Sequence, residues 1–313
     1  YLQKDLNLNS LSREKRVVYD IYKDYLSTED LKPFIQSNNY RCNFSDTVYP
    51  VFKKDMCKFF QGKDYYPETY IKNPTSDGVW YVKPNKGSNG EGIIITDDVK
   101  SVDMKNAVYQ KSIDNPLLYS GRKQDIRIFV VLQTYGGYFK SYIYNEAPIR
   151  LSPLQYDKNN LSVEVQLTNH DLYWEDFKSK HDKEIMESGL QPFTKHKYFK
   201  ELYKQVEDIT IDFSNIVYNK MNNNTQRNLI HIFGLDVIPD EDKKIWLLEI
   251  NDNPHPTSSD DRLFKPFTSY AKDMIKDMLD ELIYPMKNKT NVKPNNFKMV
   301  YEKELLFNKW IFV

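Results

Sequence analysis

The spacing of apolar and polar positions changes along the chain between helical and strand-like periods, which predicts a mixed α and β fold. Apolar residues recur every three or four positions in the longer segments, as expected for amphipathic helices. Gly62 follows the second of these segments, at the position where helices often end. The predicted helices are Arg13 to Leu26, Lys53 to Gln61, Tyr198 to Met221 and about Phe267 to Leu282.

Short apolar runs and segments of period two predict strands between the helices. Gly136-Gly137 lies between two of them and indicates a tight hairpin. The polar segment between His170 and His196 is predicted to be a loop. The predicted strands are Thr69 to Ile71, Val79 to Lys83, Ile93 to Thr96, Val108 to Ile113, Ile126 to Thr134, Phe139 to Tyr144, Leu161 to Leu167, Ile230 to Ile238, Lys244 to Ile250 and, at the end, Trp310 to Val313.

Charge and cysteine content narrow the class of protein. The 313 residues include 44 basic and 44 acidic side chains, and a net charge of zero argues against a general nucleic-acid binder. No apolar stretch approaches the roughly 18 residues that span a bilayer. The two cysteines, Cys42 and Cys57, are too few for a disulfide scaffold. We therefore expect a cytoplasmic protein with free thiols and no membrane partner.

A glycine-rich loop follows the strand that ends at Lys83. Glycines at 87, 90 and 92 allow the backbone to approach a ligand and to direct N–H groups at an anion. The Lys83 ammonium could reach a phosphate oxygen. A flexible hairpin tip with a solvated lysine is the alternative interpretation.

Lys123, Asp125 and Arg127 alternate along the start of an apolar strand. Alternate residues share one face of a strand, so three charges would face one side while Ile126 and Ile128 face the core. Charges that enter the interior must be paired or bind a ligand, because unpaired burial is costly. A structural ladder of ion pairs is the alternative to a ligand site.

Asp236 and Glu249 lie on two strands joined by an acidic turn, so a hairpin would place them nearly opposite one another. Opposed carboxylates repel unless a cation lies between them. Together with Asn251 they supply hard oxygen ligands suited to Mg²⁺. Apolar neighbours of Glu249 argue against a merely solvated face.

Other polar positions are weaker signals on their own. Gln110, Lys111 and Ile113 end an apolar strand and could line an adenine pocket, although in isolation a plain strand end is the favoured interpretation. Arg150 and the run from Gln166 to His170 are interpreted, in isolation, as surface or turn residues.

The order of these segments resembles the tubulin tyrosine ligase family of ATP-grasp ligases. The matching motifs are Lys-Gly-x-x-Gly-x-Gly-Ile, Gln-Lys-x-Ile, Gly-Arg-Lys-x-Asp-Ile-Arg, Leu-Thr-Asn-His, Gly-Leu-Asp-Val and Leu-Leu-Glu-Ile-Asn-Asp-Asn-Pro, between about Lys54 and Pro254. The size of the chain and its glycine run are most similar to the compact, tyrosine-adding type of member. The resemblance implies an α+β fold of the ATP-grasp class with a nucleotide between two lobes.

The resemblance implies three segments: an N-terminal lobe at 1–52, a central lobe at 53–116 and a C-terminal lobe of antiparallel sheet at 117–313. It also implies roles for individual residues. Lys54 (or its neighbour Lys53) and Lys83 would contact ATP phosphates under the loop that contains Gly87, Ser88, Gly90 and Gly92. The remaining implied residues are Gln110, Lys111 and Ile113 at adenine, Thr168 and Asn169 near the ribose and amino acid, Lys123, Asp125, Arg127 and Arg150 at the reacting groups, and Asp236, Glu249 and Asn251 at Mg²⁺.

The implied reaction joins a free amino acid, with tyrosine expected, to the C-terminal tail carboxylate of tubulin through an acylphosphate. Glutamate or glycine ligation, another protein acceptor, and a non-catalytic relative that binds tubulin or nucleotide are the alternatives. Because tubulin tails are acidic, we expect a basic groove that includes Arg122, Lys123, Arg127 and Arg150. The protein is expected to act as a monomer.

Overall fold

The computed structural model describes the backbone at 40–41 and most of the chain from 52 to 305. The described ranges are 52–87, 90–168, 190–221, 228–252, 254, 270–291 and 293–305. The predicted helix Arg13 to Leu26 and the predicted C-terminal strand Trp310 to Val313 lie outside these ranges. Most of the predicted loop between His170 and His196 lies outside them as well.

Two sheets carry the described part of the fold. The strands are β1 (Tyr40–Arg41), β2 (Thr69–Tyr70), β3 (Trp80–Pro84), β4 (Ile94–Thr96), β5 (Ala107–Lys111), β6 (Leu118–Tyr119), β7 (Arg122–Tyr135), β8 (Tyr138–Tyr144), β9 (Pro148–Gln155), β10 (Gln191–Pro192), β11 (Asn228–Pro239), β12 (Ile245–Asn251) and β13 (Phe297–Glu304). Within the described ranges, nine strands form one sheet around the path β1–β11–β7–β8–β13, and four form a second in the order β2–β5–β3–β4. The pairings are antiparallel except for β1 with β11.

Strand β7 is the centre of the larger sheet. It pairs with β11 along one edge and with β9 and then β8 along the other. Gly136 and Gly137 connect it to β8 with φ values of 61° and 84°, which are the positive values that a tight hairpin turn requires. The predicted hairpin is therefore confirmed.

Helices cover both faces of the larger sheet. The helices are α1 (Lys53–Phe60), α2 (Val163–Gln166), α3 (Phe199–Lys220), α4 (Tyr270–Met278) and α5 (Tyr284–Asn288), with 3-10 turns at Val99–Ser101 and Phe193–Lys195 and a π turn at Leu279–Ile283. Apolar residues of α3 pack with Ile128 and Val130 of β7, whereas those of α4 pack with Phe129 and Val131 on the opposite face. No helix within the described ranges has the length and apolarity needed to cross a bilayer.

The mixed α and β composition and the antiparallel sheets agree with the sequence-based fold class. The helices predicted at Lys53 and Tyr198, and the antiparallel strands before and after the turn at Pro239, are confirmed within one or two residues. The division into lobes at 1–52, 53–116 and 117–313 stays a prediction.

The prediction of a strand from Leu161 to Leu167 is wrong, because Val163–Gln166 forms one turn of helix. Local side-chain hydrogen bonds stabilise this turn. The Asn160 side chain accepts a hydrogen bond from the Ser162 N–H, and the Gln166 side-chain amide donates one to the Asn160 carbonyl. Such contacts compete with strand pairing, and a period of two does not reveal them.

Five of the described strands were not predicted: the two-residue strands β1, β6 and β10, and the longer strands β9 and β13. Strand β9 contains Arg150, which the sequence alone suggests to be a surface or turn residue. This interpretation is wrong, because the Arg150 side chain is only 12% exposed. Strand β13 lies in a segment whose charged residues gave no apolar signal, and it pairs with β8 at the edge of the larger sheet.

Candidate active site

A cleft lies between the two sheets. It contains about 690 Å³ of empty space, part of which is open to solvent. Ile93, Ile238 and Leu248 give it an apolar side. The predicted site residues that line it are Lys83, Gln110, Lys111, Ile113, Lys123, Asp125, Arg150, Thr168, Asp236 and Glu249.

Two arginines and two aspartates form a network of ion pairs at the cleft, and three of these residues, Asp125, Arg150 and Asp236, line it. The Arg127 guanidinium donates to both oxygens of Asp236, with Nε–Oδ1 and Nη2–Oδ2 distances of 2.8 and 2.7 Å. Arg150 donates to both oxygens of Asp125 and lies 2.9 Å from Asp236 Oδ2. Strand register produces these contacts, since Asp236 is opposite Arg127 and Asp125 is opposite Arg150. Arg127 is thus paired with Asp236, and Asp125 with Arg150, as in the alternative interpretation of a ladder of ion pairs.

The arginines determine the protonation state of Asp236. Burial favours the neutral form of this carboxyl group, but the positive charges of Arg127 and Arg150 outweigh burial and hold its pKa well below the usual range. Asp236 is therefore ionised at neutral pH, as a metal ligand must be.

Asp236, Glu249 and Asn251 are brought together by the pairing of β11 with β12. Glu249 is opposite Asp236, and the Asn251 amide nitrogen is 3.3 Å from Asp236 Oδ2. Mg²⁺ commonly takes one or two carboxylates in addition to phosphate oxygens, so the chemistry of this donor set fits Mg²⁺. Within the described ranges no group of three or more His, Cys, Asp or Glu forms a larger metal cluster.

Of the two neighbouring lysines at the start of α1, Lys53 is the one that points toward the carboxylates. Its ammonium lies 3.7 Å from Glu249 Oε2 and donates to the Gly87 carbonyl at 3.1 Å. Neither lysine is among the residues that line the cleft, and the Lys54 backbone N–H donates to the Asn85 side chain. The geometry thus favours Lys53 over Lys54 as the lysine at the site.

The glycine-rich loop connects β3 to β4 beside the cleft. Gly90 and Gly92 have φ values of 79° and 72°, which side chains with a Cβ rarely adopt. A Cβ at Gly92 would also lie 3.2 Å from the Pro84 ring. Ser88 lies outside the described residues.

Lys83 and Gln110 are adjacent on β3 and β5 and share a hydrogen bond. The Lys83 ammonium donates to Gln110 Oε1 at 2.6 Å. Burial lowers the pKa of Lys83 to about 8, partly offset by the negative charge of Glu249. A buried cation with a neutral partner favours an anionic ligand, and the expected phosphate contact is consistent with this environment.

Lys123 differs from Asp125 and Arg127 on the same strand because its hydrogen-bond partners are neutral side chains. Its ammonium donates to the Tyr81 hydroxyl at 2.6 Å and to Gln166 Oε1 at 3.2 Å. Sequence reasoning did not assign Tyr81 to the site, although it lies two positions before Lys83 and hence on the same face of β3.

An exposed basic groove made of the predicted cations is not present. Arg122 and Lys123 are 3% and 5% exposed, and Arg122 donates to backbone carbonyls of β9. Arg127 and Arg150 are paired with aspartates. Of these four side chains, Lys123 and Arg150 line the cleft. Thr168 lines the cleft, and Asn169 lies outside the described residues.

Comparison with known families places this site in a recognised context. A model of the tubulin-tyrosine ligase family matches residues 30–292, which is most of the chain and includes every strand and helix that contributes to the cleft. The match therefore covers the arginine–aspartate network as well as the glycine-rich loop.

Individual relatives are considerably longer than this chain. Tubulin glycylase 3C of Tetrahymena thermophila is 28% identical over 269 residues, covering 78% of this chain and 24% of the relative. The probable tubulin polyglutamylase TTLL9 of Rattus norvegicus is 27% identical over 194 residues, covering 58% of this chain and 40% of the relative. The probable tubulin polyglutamylase TTLL2 of Mus musculus is 30% identical over 190 residues, covering 58% and 35%. The chain thus spans less than half the length of these curated relatives.

Proposed function

The chain belongs to the tubulin-tyrosine ligase family, and from this premise we propose that it is an ATP-dependent ligase that joins an amino acid to a carboxylate of the tubulin tail. The observation that carries the proposal is the pairing of Asp236 with Glu249 in the cleft that Lys83 also lines. Ligation needs a bound triphosphate with its charge neutralised, and this arrangement supplies both cations and metal-binding oxygens.

Asp236, Glu249 and Asn251 would hold Mg²⁺, which would neutralise charge on the phosphates. Lys83 and Lys53 supply further positive charge beside them. We place the adenine beside Gln110, Lys111 and Ile113, which line the cleft. No protein nucleophile is required for this chemistry, because the residues act by orientation and by charge neutralisation.

The reaction has two steps. An oxygen of the acceptor carboxylate forms a bond to the γ-phosphorus of ATP and ADP leaves, which gives an acylphosphate. The amine of the incoming amino acid then forms a bond to the acyl carbon, and phosphate leaves. Asp125 and Arg150 are paired with one another in the structure. In our proposal the incoming ammonium binds Asp125 and the carboxylate binds Arg150, and each replaces the present partner of that residue.

The amino acid is best sought among glycine and glutamate. The expectation of tyrosine finds no support in the relatives, which are named as glycylases and probable polyglutamylases. A non-catalytic relative would be expected to lack some of the phosphate or metal contacts, whereas Lys83, Asp236 and Glu249 are all in the cleft. We place the reaction in the cytoplasm, with the protein acting as a monomer.

The test is incubation of the protein with purified tubulin, Mg²⁺ and ATP, with one amino acid at a time, followed by intact mass spectrometry of the tubulin chains. The proposal predicts a mass increase that corresponds to glycine or glutamate and that depends on ATP. An increase with tyrosine alone would restore the original expectation. No increase with any amino acid, for protein shown to bind ATP, would contradict the ligase proposal.

A further inference from the structure

Lys123 is held at the junction of the two sheets by residues from two other elements. Tyr81 lies on β3 of the smaller sheet, Lys123 on β7 of the larger sheet and Gln166 at the end of α2. All three are less than 10% exposed and line the cleft. The Tyr81 hydroxyl also lies 3.1 Å from Gln166 Oε1, so the three polar groups are in mutual contact.

The orientation of the Gln166 amide follows from its partners. Its Nε2 donates to the backbone carbonyls of Asn160 and Asp157 at 2.8 and 3.3 Å. A flipped amide would place its oxygen against these two carbonyls and its NH₂ group against the Lys123 ammonium. The side-chain oxygen of Gln166 must therefore face Lys123.

Within the described residues, these two acceptors account for the hydrogen bonds of the Lys123 ammonium. An ammonium has three N–H donors, so one remains for a group in the cleft. The rings of Tyr81 and Tyr156 lie 5.0 and 5.8 Å from the nitrogen and further stabilise its positive charge. Within the described residues, neutral hydrogen-bond partners, and not a carboxylate, therefore fix the position of the Lys123 nitrogen.

We propose that Gln166 is a positioning residue that fixes the Lys123 ammonium at the junction of the two sheets, so that its remaining donor faces the anionic part of the bound nucleotide. This inference rests on the proposed function, because it takes a nucleotide as the ligand of the cleft. Gln166 acts through Lys123 and does not itself contact the ligand.

The test is a calorimetric titration with Mg²⁺ and a non-hydrolysable ATP analogue. Gln166→Met removes the acceptor with little change in volume, and we expect about tenfold weaker binding, in line with the loss of a hydrogen bond to a charged group. Lys123→Met should weaken binding as well. The double variant should bind no more weakly than Lys123→Met alone, because Gln166 acts only through that lysine.

Gln205→Met is the matched control. Gln205 is half-buried on α3, and it also bonds two backbone groups, the Lys243 carbonyl and the Ile245 N–H, but it does not touch the cleft. Its replacement should leave analogue binding within twofold of wild type. Tyr81→Phe removes the other acceptor of Lys123. If Gln166→Met does not fold, analogue binding by Tyr81→Phe, alone and combined with Lys123→Met, is measured instead.

Binding by Gln166→Met equal to wild type, or losses that simply add in the double variant, would overturn the positioning role and leave the proposed function intact. Failure of the wild-type protein to bind the analogue at all would instead contradict the proposed function.

Discussion

Asp236 and Glu249 are opposite one another on adjacent antiparallel strands, yet their carboxylates contact different cations. Asp236 is 8% exposed and lies between Arg127 and Arg150, whereas Glu249 is 26% exposed and has Lys53 at 3.7 Å. Opposed carboxylates repel unless cations separate them. Because one acid belongs to a buried network and the other does not, their replacement should have different consequences.

Glu249→Gln should abolish ligation with little change in stability. The substitution keeps the shape of the side chain but removes a charge that the metal site needs, and it breaks only one long, partly exposed ion pair. Activity and the thermal unfolding midpoint would be measured together. Glu302→Gln, which breaks an ion pair with Lys140 on β8, is the control and should remain active. Substantial ligation by Glu249→Gln would remove this residue from the metal site.

Asp236→Asn should reduce stability as well as activity. From sequence alone, loss of either acid is expected to leave the fold intact, but the structure changes this expectation for Asp236. Its removal leaves Arg127 with no carboxylate partner in a buried site, which costs about 3–5 kcal/mol for comparable networks. Urea unfolding would measure the difference. A free energy of unfolding within about 1 kcal/mol of wild type would show that the network contributes little.

Lys53 and Lys54 are neighbours that the structure distinguishes. The Lys53 ammonium approaches Glu249 and donates to the Gly87 carbonyl of the glycine-rich loop, whereas the hydrogen bond of Lys54 comes from its backbone N–H, to the Asn85 side chain. Lys53→Met should therefore weaken binding of an ATP analogue about tenfold, as expected for loss of a charged contact. Lys54→Met is the matched comparison and should bind nearly as wild type. The reverse result would indicate that the site rearranges around Lys54 when nucleotide binds.

The stability of the protein should rise as the pH increases from 7 to 9. Burial lowers the pKa of Lys123 to about 7, from 10.5 for an exposed lysine. In this range the unfolded chain binds a proton that the folded protein has released, so raising the pH favours the folded state. Below pH 7 both states are protonated and the cost of burying the charge is fully present. Lys83, with its pKa lowered to about 8, acts in the same direction.

Lys123→Met should be more stable than wild type at pH 7 and should show a smaller rise toward pH 9. The difference in slope is at most about 1.4 kcal/mol per pH unit for one group. Urea unfolding at pH 7, 8 and 9 would measure it. Lys204→Met replaces an exposed lysine and should follow the wild-type slope. Equal slopes for Lys123→Met and wild type would mean that Lys123 keeps an ordinary pKa.

Local patterns were sufficient to predict several features of the site. Glycines at a two-residue turn and a period of two predicted the hairpin at Gly136, and a short acidic turn predicted that Asp236 faces Glu249. These features depend on residues that are near in sequence. The alternation of Lys123 and Asp125 correctly predicted buried charges that need partners.

The partners themselves could not be predicted. Arg150 meets Asp125 through the register of β9 on β7, and Gln166 at the end of α2 meets Tyr81 on β3, 85 positions away. Such contacts depend on how sheets pack, which a local pattern does not contain. The choice between Lys53 and Lys54 depends on the rotation of α1 about its axis, and two consecutive lysines leave that rotation undetermined.

The most direct test of the account is to follow oxygen from the acceptor carboxylate during ligation. Tubulin or a tail peptide with ¹⁸O in its acceptor carboxylate would be incubated with the protein, ATP, Mg²⁺ and the amino acid that is joined, and the released phosphate would be analysed by mass spectrometry. Activation of the carboxylate by ATP in the cleft predicts one ¹⁸O atom in the phosphate for each amino acid joined. Ligation with phosphate free of ¹⁸O would contradict the account.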